Sequence, residues 1–369
     1  MPTLGDQHHL VESLADRAAQ PLSYRSGNYP DLATWRGFAL KKVFQLLHYA
    51  PPQVDFGEEV VESEEREGIA RRTVWFSSSS QTRVSARLLL PISGRGKRPG
   101  IVCLHDHGDL FAWGKEKLVS AGCDEHPALA EHKAAWYSGL SVAEGLARAG
   151  FAVLAPDMFG FGDRRLRGLD EIDDLDLADP EQHARLEQIA RAHEATTGLN
   201  LIQAGATPMG LHVWDTIRAV EYLSTVSGVD ERRIGCFGAH SGGLLAIYLS
   251  GLCDLVRATV AVGWVGSLRG VIEAGVPGTS WMQFAVPGLY NFLDLPDVAC
   301  LTIPRALMLV ALADEPLFPA DAAEESFADI RKVFNDADKG VDFLGQTAPG
   351  RAVTSDIVRE AIGWFERWI

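Results

Sequence analysis

Beyond residue 100 the chain repeats one unit, a short apolar run followed by a helix-patterned stretch, and this alternation restricts its fold more than any other feature. Residues 101–104, 151–155, 234–237, 258–262 and 306–312 are almost wholly apolar. A strand with one face in water alternates polar and apolar residues, so runs that are apolar throughout need cover on both faces. The stretches 140–149 and 210–223 lie between these runs and read as helices. The expected architecture is α/β: a mostly parallel central sheet with helices on both faces. Earlier strands are expected at 73–76 and 84–90, with a turn at 93–96. A final helix at 356–368 places Ile357, Ala361, Trp364 and Trp368 on one stripe.

Two segments depart from the repeat. Residues 1–65 read as a polar, helical N-terminal extension preceding a domain at 66–369. In the extension Leu40, Val43, Phe44 and Leu47 share one helix face, which Pro51-Pro52 closes. Residues 164–206 form an insertion rich in acid (Asp170, Glu171, Asp173, Asp174, Asp176, Asp179). A charge run is by default solvated surface. Its place in the chain, above the C-terminal edge of the sheet, also makes it a candidate helical cap.

Charge and cysteine usage narrow the function classes. A net charge of −15 argues against a general nucleic-acid binder, which needs cations to displace counterions. No stretch approaches the roughly 18 uninterrupted apolar residues of a membrane span, and 1–20 lacks the apolar centre of a signal peptide. Cys103, Cys123, Cys236, Cys253 and Cys300 are scattered, with neither a CxxC pair nor zinc spacing. No metal or cofactor is expected, and the reducing cytoplasm is the simplest home.

The chemistry concentrates in Ile234-Gly235-Cys236-Phe237-Gly238-Ala239-His240-Ser241-Gly242-Gly243. A strand enters a tight turn and then a helix. With Ala239 and Gly243 as the small residues two positions either side, Ser241 is the expected nucleophile on a strained elbow. The Gly242 N–H, at the helix start, is then aimed at a developing oxyanion. His240 reads as structural, its ring turned away from the hydroxyl.

Several motifs together resemble the dienelactone hydrolase and acetyl-xylan-esterase-like branch of the α/β-hydrolases over residues 70–369. They are Leu104-His105-Asp106-His107-Gly108, Gly114-Lys115-Glu116-Lys117, Ala155-Pro156-Asp157 with Gly160-Phe161-Gly162, Met209-Gly210 with Trp214-Asp215, the Ser241 segment, and Leu312-Ala313-Asp314 with Pro319. The resemblance implies an α/β-hydrolase fold and a second oxyanion N–H from His107, or from Asp109 in a shifted register. It implies Asp314 as the acid that orients an imidazole. It also demands a histidine downstream, yet the last histidine is His240. Arg351 occupies the expected slot in Gly350-Arg351-Ala352-Val353-Thr354, or Ala352 if the register shifts by one. Neither can act as a base, since arginine stays protonated and alanine has no group.

The expected function is therefore a serine hydrolase acting on small carboxylic esters or lactones through an acyl-enzyme, impaired or altered at its base. Three explanations fit the missing histidine: loss of ordinary hydrolysis in favour of ligand binding or other chemistry, a substitute such as His183, His193 or His212, or an inactivated variant of an active parent. Trp113, Trp264 and Trp281 are either pocket lining or core. The N-terminal extension is a candidate dimerisation or capping element.

Overall fold

A computed structural model describes residues 6–94, 96–120, 125–166, 175–275 and 280–369, and the side chains of these except residues 6–8, 280 and 281. Cys123, Asp170, Glu171, Asp173, Asp174 and part of the 93–96 turn lie outside the described residues, as does the Trp281 side chain.

The chain opens with helices α1 (Asp6–Asp16) and α2 (Leu32–Leu47), then strands β1 (Glu59–Arg66), β2 (Ile69–Ser77), β3 (Arg83–Pro91) and β4 (Arg98–Leu104). Helices α3 (Pro127–Tyr137) and α4 (Val142–Arg148) lead to β5 (Ala152–Pro156). Helices α5 (Pro180–Gln203) and α6 (Pro208–Thr225) lead to β6 (Val229–Ala239). The remainder is α7 (Ser241–Leu252), β7 (Val256–Val262), α8 (Leu268–Ala274), α9 (Leu295–Cys300), β8 (Ala306–Leu312), α10 (Ala320–Asp336), β9 (Phe343–Ala348) and α11 (Ser355–Trp368).

Among the described residues nine strands form one sheet in the order β1-β2-β3-β5-β4-β6-β7-β8-β9. The pairs β1–β2, β2–β3 and β3–β5 are antiparallel, and those from β5 to β9 are parallel. The expected α/β architecture is present: α2, α6 and α7 pack one face of the sheet, while α4 and α11 pack the other. The continuous apolar runs sit in the parallel half, where both faces are covered.

The extension differs from its sequence reading. Residues 59–66 are not helical but form β1, paired along β2 from Glu59↔Trp75 to Arg66↔Ile69. β1 is an exposed edge strand, so its composition follows water contact rather than burial and gives no strand signal. In the rest of the extension Trp35, Ala39, Val43 and Leu47 of α2 are buried in the core, and a buried carboxylate holds the segment before it. Asp297 accepts from Ser23 Oγ at 3.1 Å and from the Tyr24 N–H at 3.0 Å.

Register decides what meets at the C-terminal edge. Leu104 pairs with Gly238, so the loop after β4 begins alongside the turn after β6. Ala239 pairs with Val262 and Val262 with Val310, which brings the loop after β8 to the same place.

Candidate active site

The turn between β6 and α7 places its strain on a different residue from the one expected. His240 has φ 52° and ψ −116°, while Ser241 is already the first residue of α7. Few side chains other than glycine adopt such a backbone, and they do so where surrounding structure enforces it. The small residues the turn requires are Gly238 and Gly242. A Cβ at Gly238 would lie 2.0 Å from the Gly242 carbonyl oxygen, and one at Gly242 would lie 2.4 Å from that of Leu104. These glycines flank His240; Gly243 is also crowded, its Cβ position 2.7 Å from the Val262 oxygen, so it is the φ of His240 that fixes the frame. The frame is Gly238-Ala239-His240-Ser241-Gly242, one residue earlier than the sequence reading, and His240 stands at its apex.

Ser241 is fully buried, and its Oγ accepts a hydrogen bond from the His107 N–H at 2.7 Å. The loop after β4 thus presents the His107 N–H toward the start of α7. No histidine ring among the described residues hydrogen-bonds Ser241. His107 itself is committed: Nδ1 accepts from the Asp109 N–H at 3.1 Å, so Nε2 carries the proton toward Glu194 Oε1 at 2.7 Å. His183 packs against Trp113 and lies 3.4 Å from Glu187, and His193 is half-buried on α5. His212 stacks on Phe284, and burial, with help from Arg164, pushes its pKa down to about 3.

The other expected residues do not converge. Asp314 is exposed, and its N–H donates to the Gly350 carbonyl at 3.1 Å. It is the next residue, Glu315, that turns inward: it is buried, with Oε2 3.5 Å from His240 Nδ1. Arg351 is exposed and stacks 4.3 Å over the Trp136 ring, while Ala352 is half-buried beside it. Trp136 in turn contacts the His240 ring edge-to-face at 4.6 Å, and Tyr137 closes another side at 6.4 Å. The imidazole from the apex thus lies between the loop carrying Glu315 and the tryptophan under Arg351. Both its ring nitrogens and Glu315 Oε2 are buried without a hydrogen-bond partner among the described residues.

Beneath the loop lies a polar network that sequence reasoning did not find. Lys117 Nζ donates to the Asp106 and His107 carbonyls at 3.0 and 2.7 Å, which fixes the loop backbone. Burial pushes the Lys117 ammonium below its ordinary range, opposed chiefly by Asp106. The Asp106 carboxylate lies 2.9 Å from His132 Nε2 and accepts from the Tyr137 hydroxyl. Burial raises its pKa, but Lys117 and His132 outweigh that and hold it well below the usual range. Of the three tryptophans considered, Trp113 packs on His126 and His183, and Trp264 on Phe284 and Phe318. Among the described residues no cluster of three or more metal-type ligands exists, and no helix is long and apolar enough to cross a membrane.

Comparisons with known proteins agree with this architecture. The model of the dienelactone hydrolase family matches residues 138–270. A Bacillus subtilis protein named as a hydrolase, YtaP, is 22% identical over 330 residues, covering 89% of this chain and 98% of the relative. A Bacteroides fragilis protein described as an acetyl xylan esterase superposes with a TM-score of 0.68 at 14% identity, covering 93% of this chain and 82% of that one. A glucuronoyl esterase from Solibacter usitatus gives 0.64, also at 14% identity, over 94% and 96%. The chain is an α/β-hydrolase-fold protein whose central third carries the dienelactone hydrolase family match.

Proposed function

We propose that the chain acts on a small carboxylic ester or lactone at the C-terminal edge of its sheet, with His240 as the working base and without a serine acyl-enzyme. The position of His240 at the strained apex, facing a buried Glu315 carboxylate, carries this reading. Glu315 orients the imidazole and stabilises its cation, the part an acid plays in any such pair. His240 takes a proton from water as the water oxygen attacks the ester carbonyl. When the intermediate collapses the ester C–O bond breaks, and the leaving alkoxide takes the proton from the imidazolium. Acid and alcohol are the products. Ser241 has a different part: its Oγ accepts from the His107 N–H, which leaves its own hydroxyl proton free to donate to the carbonyl oxygen as charge develops there. The Gly242 N–H, in the first turn of α7, has no intrahelical acceptor and adds to the same field. Asp314 and Arg351 take no part in the proton transfers. Cys103, Cys236, Cys253 and Cys300 are free and buried, which supports a reducing, cytoplasmic setting.

A second reading, binding without turnover, draws on the enclosure of the site: the His240 ring is buried under Trp136 and Tyr137. One set of assays separates the readings. Short p-nitrophenyl esters and a small lactone are offered to the unmodified chain and to His240→Ala and Ser241→Ala, alongside a fluorophosphonate probe. The expected result is no labelling, a loss of about 10²–10⁴ in rate for His240→Ala, and a smaller loss for Ser241→Ala. Labelling on Ser241, with Ser241→Ala inactive, overturns the proposal. Binding of these compounds by the unmodified chain without hydrolysis selects the second reading.

A further inference from the structure

We infer that Glu194, on α5, is a positioning residue that aims the His107 N–H into the site. The inference rests on the reading above that this N–H holds Ser241 Oγ so that the Ser241 hydroxyl can donate to the developing oxyanion.

Helix α5 lies in the insertion between β5 and α6; Leu186 and Ala190 pack into apolar clusters, and a row of polar contacts joins it to the loop after β4. Of its 24 residues only Leu186, Ala190 and Gly198 are buried. Glu187, Arg191 and Glu194 follow i, i+4, i+7 spacing and so share one face. All three address the loop that follows β4. The two Glu187 oxygens accept from the Phe111 and Ala112 N–H groups at 2.7 and 2.9 Å. Arg191 donates to Asp109 Oδ1 at 2.9 Å. Glu194 Oε1 meets His107 Nε2 at 2.7 Å.

The last contact differs from the others in where it leads. Glu187 and Arg191 hold the far part of the loop, whereas Glu194 holds the side chain of the residue whose N–H points at Ser241 Oγ. The ring of His107 is fixed at both nitrogens, by Glu194 and by the Asp109 N–H, and it is wedged edge-on against Phe111 and Phe161 at 5.2 and 4.9 Å. A ring fixed on three sides leaves its own backbone little rotation. The Lys117 ammonium holds the same peptide from its carbonyl side, through the Asp106 oxygen at 3.0 Å. The direction of the N–H is therefore set by side chains, and only Glu194 among those holding the ring reaches it from α5. The Ser241 hydroxyl that this N–H holds must stay aimed at the developing charge, and such a donor is sensitive to displacements of well under 1 Å, so a remote carboxylate can act on rate without touching substrate.

The test compares Glu194→Ala and Glu194→Gln with the unmodified chain, using p-nitrophenyl acetate hydrolysis and hydrogen exchange of the peptide spanning 104–112. Glutamine keeps an acceptor for the His107 ring proton and alanine does not. For Glu194→Ala the expected result is a fall in kcat of roughly ten- to a hundredfold with KM nearly unchanged, below the 10²–10³ seen when a donor itself is removed. Exchange at 104–112 should rise, and Glu194→Gln should restore most of both. Equal changes in kcat and KM, no rescue by glutamine, or unchanged exchange at 104–112 overturns the inference. If the unmodified chain hydrolyses no ester, exchange decides it alone: faster exchange in Glu194→Ala with recovery in Glu194→Gln supports it, and anything else overturns it. Failure of the His240 mechanism shows up separately, as full activity in His240→Ala.

Discussion

Oε2 of Glu315 lies 3.5 Å from Nδ1 of His240, and neither atom has a hydrogen-bond partner among the described residues. Two buried polar groups of complementary kind, left unpaired at such a distance, require an explanation beyond packing. A small inward movement of the loop after β8 would convert the approach into a charge-assisted hydrogen bond once the imidazole takes up a proton. Glu315→Gln removes the charge but keeps the volume. It is expected to lower ester hydrolysis by about ten- to a hundredfold, within the general-base contribution, and to leave the urea midpoint nearly unchanged. Steady-state kinetics and urea unfolding on the same preparation check both halves.

The frame of the turn yields a prediction that runs against the sequence reading. If Ser241 were the nucleophile and lacked only its base, Arg351→His would restore it. Because His240 holds the apex, Arg351→His alone is expected to give no fluorophosphonate labelling. The paired change His240→Ser with Arg351→His puts a hydroxyl at the apex and an imidazole at the downstream slot, and is expected to label. Labelling of the single variant would return the nucleophile to Ser241.

The difference between these frames shows where sequence reasoning reached its limit. The parallel half of the sheet was legible because runs such as 306–312, apolar at every position, have few other homes. The elbow was legible as a strand–turn–helix, but two small-residue frames overlap there, Gly238/Gly242 and Ala239/Gly243, and a serine in the second drew the assignment. What separates them is the backbone: the left-handed φ falls on His240, with Ser241 already helical, whereas Gly242 and Gly243 are both hemmed in by backbone oxygens, and a backbone angle is not written in residue type. Asp314 and Glu315 are adjacent acids, and only the path of the loop after β8 decides which one turns inward. Glu194 and His132 lie far from the motif in sequence and gave no signal at all.

The loop after β4 also depends on a buried cation. Lys115 Nζ lies 2.9 Å from Asp157, 2.8 Å from Asp163 and 2.9 Å from Glu116. The first two carboxylates belong to the segment after β5, so Lys115 joins two loops at the sheet edge. Removing one partner from a buried ionic cluster strands the remaining charges, at about 3–5 kcal/mol. Lys115→Met, which keeps most of the length, is expected to lower stability by that order. The lowering should be smaller at pH 5 than at pH 8. Burial raises Asp157 to about 6 even with Lys115 beside it, and removing Lys115 raises it further, so at pH 5 the stranded carboxyl is neutral. Urea midpoints at the two pH values test it, and an equal loss at both would contradict the assignment.

Asp294 gives the clearest dependence of stability on pH. It caps α9 and accepts from the Leu268 and Leu295 N–H groups at 2.7 and 2.6 Å. Burial raises its pKa to about 6, with neighbouring Asp297 adding to the rise and those N–H bonds opposing it. A carboxyl raised on folding is more easily kept neutral in the folded chain than in the unfolded one. Its contribution is fully present below the ordinary aspartate range and is lost as the pH rises through about 6. Asp294→Asn retains an oxygen for both N–H groups and cannot ionise. The variant should match the unmodified chain near pH 4 and gain on it between pH 4 and 7, by about 2–3 kcal/mol at most. Thermal unfolding of both proteins across that interval measures the difference. A gap that stays constant, or that widens toward acid, would show that the buried capping carboxylate is not the group responsible.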